Sequence, residues 1–139
     1  NKRRYTVMID KVGGIVIKNK KVLVVRKKTK ENFPEFIIPG GKREFGETDL
    51  ETLQREMQEE VNLNIVKAEY LGEYRDIAIF ENLPIVMKVY LCEVEGEIHV
   101  ENEIKEFCWI DRNYKEKGIK VGSILGKFVL PQLRKRELI

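Results

Sequence analysis

The chain has 139 residues, 42% of them hydrophobic and 35% charged, with a formal net charge of +3. That length suits one compact domain spanning residues 1–139, able to bury roughly 70% of its unfolded surface without disulfide staples. The expected setting is the cytoplasm with no membrane partner: no apolar run approaches the ~20 residues that cross a bilayer, and the basic start NKRRYTVMID lacks the apolar centre of a secretory signal. A charge this mild does not argue for nucleic acid and suits an anionic small molecule equally well.

In chain order, Val12–Ile17 and Lys21–Arg26 are β-branched runs joined by the short Lys18–Lys20 turn, which predicts a hairpin of two central strands. Glu35–Ile38 is a short extended piece. It ends at Pro39-Gly40-Gly41, where proline and two glycines predict a turn and a backbone that other groups can approach closely. Thr48 followed three residues later by Glu51 is a capping box, so a helix should start near residue 48. Ile65–Ala78 and Leu83–Val94 read as strands joined by a turn at 81–84, and Glu106–Ile110 as one more. A second helix is expected over Ser123–Lys135, kinked or divided by Pro131. Strands mixed with two helices, without a regular βαβα alternation, predict an α+β fold with a mixed sheet between helices. Cys92 and Cys108 read as buried small hydrophobes. The basic clusters at 2–4, 26–30 and 134–136 read as solvated surface that could steer phosphates inward.

The first helix contains an anomaly. Asp49 and Glu51 sit where the helix dipole favours negative charge, but Glu56, Glu59 and Glu60 crowd the C-terminal half, where it favours cations. At about 100° per residue these three share one arc, and Leu50, Leu53, Met57 and Val61 form the adjoining apolar stripe. The acidic face therefore borders the core contact. Glu56 and Glu60 are also a like-charge i, i+4 pair, which is unfavourable until a cation neutralises it. Carboxylates beside a glycine turn with accessible carbonyls offer the hard oxygen ligands that Mg²⁺ or Mn²⁺ prefers.

The spacing is more specific than the charge. Gly41, five residues, Glu47, seven residues, Arg55-Glu56-Met57, one residue, Glu59-Glu60, one residue, Asn62-Leu63 resembles the Nudix box, G-x5-E-x7-R-E-U-x-E-E-x-G-U, with U a bulky aliphatic. Chance agreement in one window is on the order of one in 10⁷ at ordinary residue usage. The one departure in residues 41–63 is Asn62 in place of glycine, and asparagine is the next best residue for a left-handed helix end. VGGIVI, VLVVRK, EFIIPGGK and ENEIKEFCWID are also similar to the Nudix outline.

The resemblance implies an α/β/α sandwich that cleaves a nucleoside diphosphate linked to a group X, by water attack at phosphorus with Mg²⁺ or Mn²⁺. Carried over position by position, Glu56, Glu59, Glu60 and the Gly40 carbonyl would be metal ligands, and Arg55 and Glu47 would pair to hold the box in shape. The general base would be Glu103 on a later loop, ahead of Glu106, with Glu59 as the alternative within the box. Arg26, Lys28, Lys42 and Arg43 are candidates for the substrate phosphates. Phe36 is the aromatic candidate for the base, among Phe33, Tyr74, Phe80 and Tyr90, while His99 reads as an ordinary strand-face residue between Ile98 and Val100. The extra N-terminal domain of ADP-ribose enzymes finds no room in this chain, so hydrolysis of a (d)NTP to (d)NMP and pyrophosphate fits best. An RNA 5′-end pyrophosphohydrolase is the alternative, as are nucleotide sugars, ADP-ribose and dinucleoside polyphosphates. The expected partner is a small nucleotide, nucleic acid entering only through the RNA alternative, and a homodimer stays open.

Overall fold

The computed structural model of the chain describes residues 8–29, 33–77 and 82–139. The cluster at 2–4, Lys30, Phe80 and part of the turn expected at 81–84 lie outside them. Six strands form one mixed sheet: β1 (Ile9–Lys18), β2 (Lys21–Lys27), β3 (Gly40–Lys42), β4 (Asn64–Ile77), β5 (Pro84–Glu95) and β6 (Ile104–Ile110), in the order β4-β5-β1-β2-β6 with β3 paired to β1. β1 runs parallel to β5 and antiparallel to β2 and β3. Asn19 and Lys20, with φ of 52° and 60°, make the two-residue turn of the first hairpin, whose left-handed residues match the twist of the flanking strands.

The helices cover opposite faces. On β1 and β2, Val12, Val16, Leu23 and Val25 point to one side and pack with Leu53, Met57 and Val61 of α1 (Asp49–Val61). Ile9, Ile15, Val22 and Val24 point to the other and pack with Leu125, Val129, Leu130 and Leu133. This period-two partition divides the core into two layers around the sheet, the expected sandwich. The late helix is continuous from residue 123 to 135, with a π-helical turn over Leu125–Val129 before α2 (Leu130–Lys135). Pro131 has no N–H to donate, and the ladder widens just before it, where the Leu130 N–H reaches the Leu125 carbonyl.

Three expectations are corrected. Gly40 and Gly41 form a strand, β3, and not a turn, because Lys11, Val12 and Gly13 of β1 supply a partner ladder. Leu50 is 52% exposed and does not join the apolar stripe. The first turn of α1 is seated by Asp49, which accepts from Tyr90 and Arg43, so polar contacts replace apolar ones there. His99 lies in the connection after β5, outside any strand, although Ile98 and Val100 beside it pack against the α1 layer. The two cysteines are free, and burial pushes the Cys92 thiol up to about 12, leaving it an inert small hydrophobe.

Candidate active site

The N-terminal half of α1 is closed by complementary charges. Thr48 caps the helix, its Oγ1 accepting from the Glu51 N–H at 3.2 Å while Glu51 accepts from the Thr48 N–H at 3.1 Å. Arg55 donates through two nitrogens to both oxygens of Glu47, each at 2.8 Å, and also to Glu56 at 2.8 Å and the Lys42 carbonyl at 3.0 Å. Such a forked pair fixes direction as well as distance. Arg55, with the Glu44 N–H helping, holds the Glu47 carboxyl down at about 2. Thr52, fully buried, adds a bond from its hydroxyl to Glu47 at 3.0 Å.

The C-terminal half is different. Glu56 and Glu60 are 9% and 2% exposed, so two of the three anomalous carboxylates are buried in the seam between helix and sheet. Both rest on β3. Gly40 has a φ of 152°, and its N–H donates to Glu60 at 3.1 Å; a Cβ there would sit 2.2 Å from the Val12 carbonyl. A Cβ on Gly41 would sit 2.5 Å from the Glu56 carboxyl, so only glycine lets that group lie against the strand. The second Glu60 oxygen, Oε2, is buried with no hydrogen-bond partner among the described residues. Burial pushes the Glu60 carboxyl up to about 8, Glu56 alongside adds to this, and Lys27 and the Gly40 N–H oppose it.

The helix end that carries these charges is covered by donors. Asn62 takes φ 62° at the cap, and its N–H reaches the Gln58 carbonyl at 3.1 Å. Its side chain accepts from Gln58 at 3.0 Å and donates to the Glu97 carbonyl at 3.3 Å, two bonds that a glycine could not make. The connection after β5 then supplies the His99 N–H to the Val61 carbonyl, the Glu101 N–H to the Glu60 carbonyl and the Asn102 amide to the Glu59 carbonyl, at 3.1, 3.3 and 2.9 Å. Those donors quench the negative end of the dipole where the glutamates sit.

A sequence profile of the NUDIX domain matches residues 9–115, most of the chain. This chain belongs to the NUDIX domain family. It is 31% identical over 103 residues to an ADP-ribose pyrophosphatase of Methanocaldococcus jannaschii, an alignment covering 73% of this chain and 61% of that protein's length. Its fold is similar to that of a MutT NUDIX hydrolase from Burkholderia pseudomallei, with TM-score 0.68 and 21% identity over 75% of this chain and 83% of that one. It is also similar to a bifunctional NMN adenylyltransferase/ADP ribose pyrophosphatase from Francisella tularensis complexed with AMP and Mn ion, with TM-score 0.74 and 21% identity over 96% of this chain and 43% of that one.

Among the described residues of this Nudix chain, no three His, Cys, Asp or Glu side chains converge into a closed ligand set. Glu59 is half-exposed, and the Arg55 nitrogen that donates to Glu56 lies 3.6 Å from its carboxylate. A divalent cation nevertheless fits the residues present. Glu56 and Glu60 supply hard carboxylate oxygens, one of them buried with no hydrogen-bond partner among the described residues, and Glu59 adds an exposed carboxylate on the same helix.

The remaining candidates divide. Glu103 sits in the turn before β6, its carbonyl accepting from the Lys28 N–H at 2.7 Å and its carboxylate 3.6 Å from the Lys27 ammonium. Glu106 is paired to Arg26 at 2.6 Å, and that guanidinium lies 5.7 Å from the Phe36 ring centroid. Arg43 bonds Asp10 at 2.8 Å, the Glu47 carbonyl at 3.1 Å, and Asp49. Arg26 and Arg43 are thus bound into the protein's own network. Lys28 and the exposed Lys42 lie next to β2 and in β3. Tyr90 bonds Asp49, and Tyr74 stacks on Phe128 and bonds Gln132. Sequence reasoning missed Lys27 and Asp10, the bonds that Arg43 and Tyr90 make to Asp49, and the donors His99, Glu101 and Asn102. Strand alternation placing Lys27 on the α1 side and the position of Asp49 in the first helical turn were the available signals.

Proposed function

We propose that the protein is a divalent-metal-dependent pyrophosphohydrolase, cutting a nucleoside diphosphate linked to X by water attack at phosphorus to release a nucleoside monophosphate. The observation that carries this is the buried Glu56–Glu60 pair seated on Gly40 and Gly41, with one carboxylate oxygen unpartnered among the described residues. Glu56, Glu60, Glu59 and the Gly40 carbonyl would hold Mg²⁺ or Mn²⁺. Bound there, the ion supplies positive charge to the phosphoryl oxygens and the leaving group.

The chain's own residues do the rest. Arg55 and Glu47 lock the loop ahead of α1, so Glu56 and Glu60 are aligned before substrate arrives. Glu103 takes the proton of the attacking water, with Glu59 as the alternative acceptor. Lys28 and Lys42 offer charge to the outer phosphate, and Arg26 with Phe36 lines the approach on the opposite face of β2. Arg43 steadies the loop through Asp10 and Asp49.

Three identities of X are ranked by the observations that favour them. The similarity to an ADP-ribose pyrophosphatase favours ADP-ribose, cut to AMP and ribose 5-phosphate. The commitment of Arg26 and Arg43 to internal carboxylates points the same way, since fewer cations remain for a triphosphate tail. A (d)NTP, cut to (d)NMP and pyrophosphate, is the reading drawn from the sequence and stands second. A 5′-triphosphate RNA stands third. Turnover of the three, with products resolved after reaction in ¹⁸O-labelled water, decides among them. Label should enter one phosphate product and neither sugar nor base, whereas stepwise release of orthophosphate from a triphosphate would overturn the proposed cut.

A further inference from the structure

We infer that Lys27 is a positioning residue that holds the Glu103 carboxylate at the C-terminal end of α1, next to Glu60. This rests on the proposed function, in which Glu103 receives the proton.

The backbone places Lys27 for that task. Along β2, Leu23 and Val25 face the α1 layer while Val22 and Val24 face away, so Lys27 falls on the α1 side and Arg26 on the other. Between Arg26 and Lys27 the ladder with β6 shifts register, pairing Arg26 with Glu106 and Lys27 with Ile104. A bulge of this kind re-aims a side chain next to a site. It sets Lys27 opposite the residue that follows Glu103. The Lys28 N–H then fixes the Glu103 carbonyl at 2.7 Å, and the Lys27 ammonium lies 3.6 Å from its carboxylate.

The asymmetry of the pair shows which partner holds the other. The Lys27 side chain is 21% exposed and the Glu103 side chain 59%, so a largely covered cation reaches out to an exposed acid. A pair this open adds little stability. Its consequence is placement. Lys27 is also close enough to Glu60 for its charge to act on that carboxylate. The connection that carries Glu103 is already docked on α1 through the amides of His99 and Glu101 and the Asn102 side chain. Its backbone is thus fixed by α1, and Lys27 fixes the side chain at its end.

The test compares Lys27→Met, Lys27→Arg, Glu103→Gln and the Lys27→Met/Glu103→Gln double variant. Lys27→Met should lower kcat about tenfold or more with KM within about twofold, and Lys27→Arg should restore most of it. The double variant should be no slower than Glu103→Gln alone, because the two residues act as one unit. In metal-free protein, ¹³C relaxation of the Glu103 carboxylate should show a more mobile side chain in Lys27→Met than in wild type, with amide exchange along β1 and β5 unchanged. That readout needs no substrate, so a wild type that cleaves no nucleotide would refute the proposed function while the relaxation still judges the hold of Lys27. A raised KM with kcat intact, additive losses in the double variant, or an unchanged Glu103 side chain would each overturn the inference.

Discussion

The two halves of the box helix are built on opposite principles. In the N-terminal half every charge has a partner: Thr48 with Glu51, Glu47 with Arg55, Asp49 with Arg43 and Tyr90. In the C-terminal half Glu60 is buried beside Glu56 with only the Gly40 N–H as a donor, and its second oxygen has no hydrogen-bond partner among the described residues. The contrast separates scaffolding from chemistry. Saturated networks rigidify, whereas an under-compensated buried carboxylate is poised to accept charge from solution.

The largest expected effect breaks the second half. Glu56→Gln and Glu60→Gln should each lower kcat by about 10²-fold or more with the fold intact, because groups that act on the transition state are lost. Steady-state kinetics with circular dichroism checks this, and full turnover in both would make the acidic face a bystander. Breaking the first half should instead cost stability. Arg55→Ala leaves Glu47 and Glu56 without their donor and should lower Tm by about 5 °C, and Arg55→Lys should rescue little because an ammonium cannot make the fork. Thermal melts of the three proteins would show it.

A smaller effect carries the opposite sign. The ordinary Glu60 value is 4.5 and the folded one about 8, so the charged form is disfavoured in the fold. Metal-free protein therefore loses stability as pH rises from about 4.5 to about 8. Glu60→Gln removes that penalty and should raise Tm in chelator at pH 8 by about 3 °C; a lower Tm would mean Glu60 is well compensated. The smallest effect is at acid pH. Glu47 is depressed from 4.5 to about 2, so its pairing contributes stability above about 4.5 that fades as pH falls toward 2. The Tm difference between wild type and Glu47→Gln should shrink across that window, and a constant difference would show that Glu47 acts through shape.

The legible parts of the site were those set by short spacing. Thr48, Glu51, Arg55, the three glutamates and Asn62 lie within four turns of one helix, so helical geometry relates them before any tertiary contact forms. The two-sided partition of β1 and β2 was equally local. What could not be read depends on partners distant in sequence. Arg43 and Arg26 looked free for phosphate because Asp10 and Glu106 lie 33 and 80 residues away. Gly40 and Gly41 looked like a turn because the β1 ladder that makes them a strand is just as remote. The question of why glutamates tolerate a helix C-terminus had its answer in the connection after β5, whose amides and Asn102 side chain cover the open carbonyls. The π-helical turn before Pro131 has only the proline as its trace in the sequence.

A titration of metal-free protein with Mn²⁺, following the free ion by electron paramagnetic resonance, tests most directly whether the buried pair takes up a divalent cation. Wild type should remove Mn²⁺ from solution to saturation, and Glu60→Gln and Glu56→Gln should each bind about tenfold more weakly or worse, as expected for loss of a direct ligand. Equal uptake by wild type and both variants, or none by wild type, would contradict it.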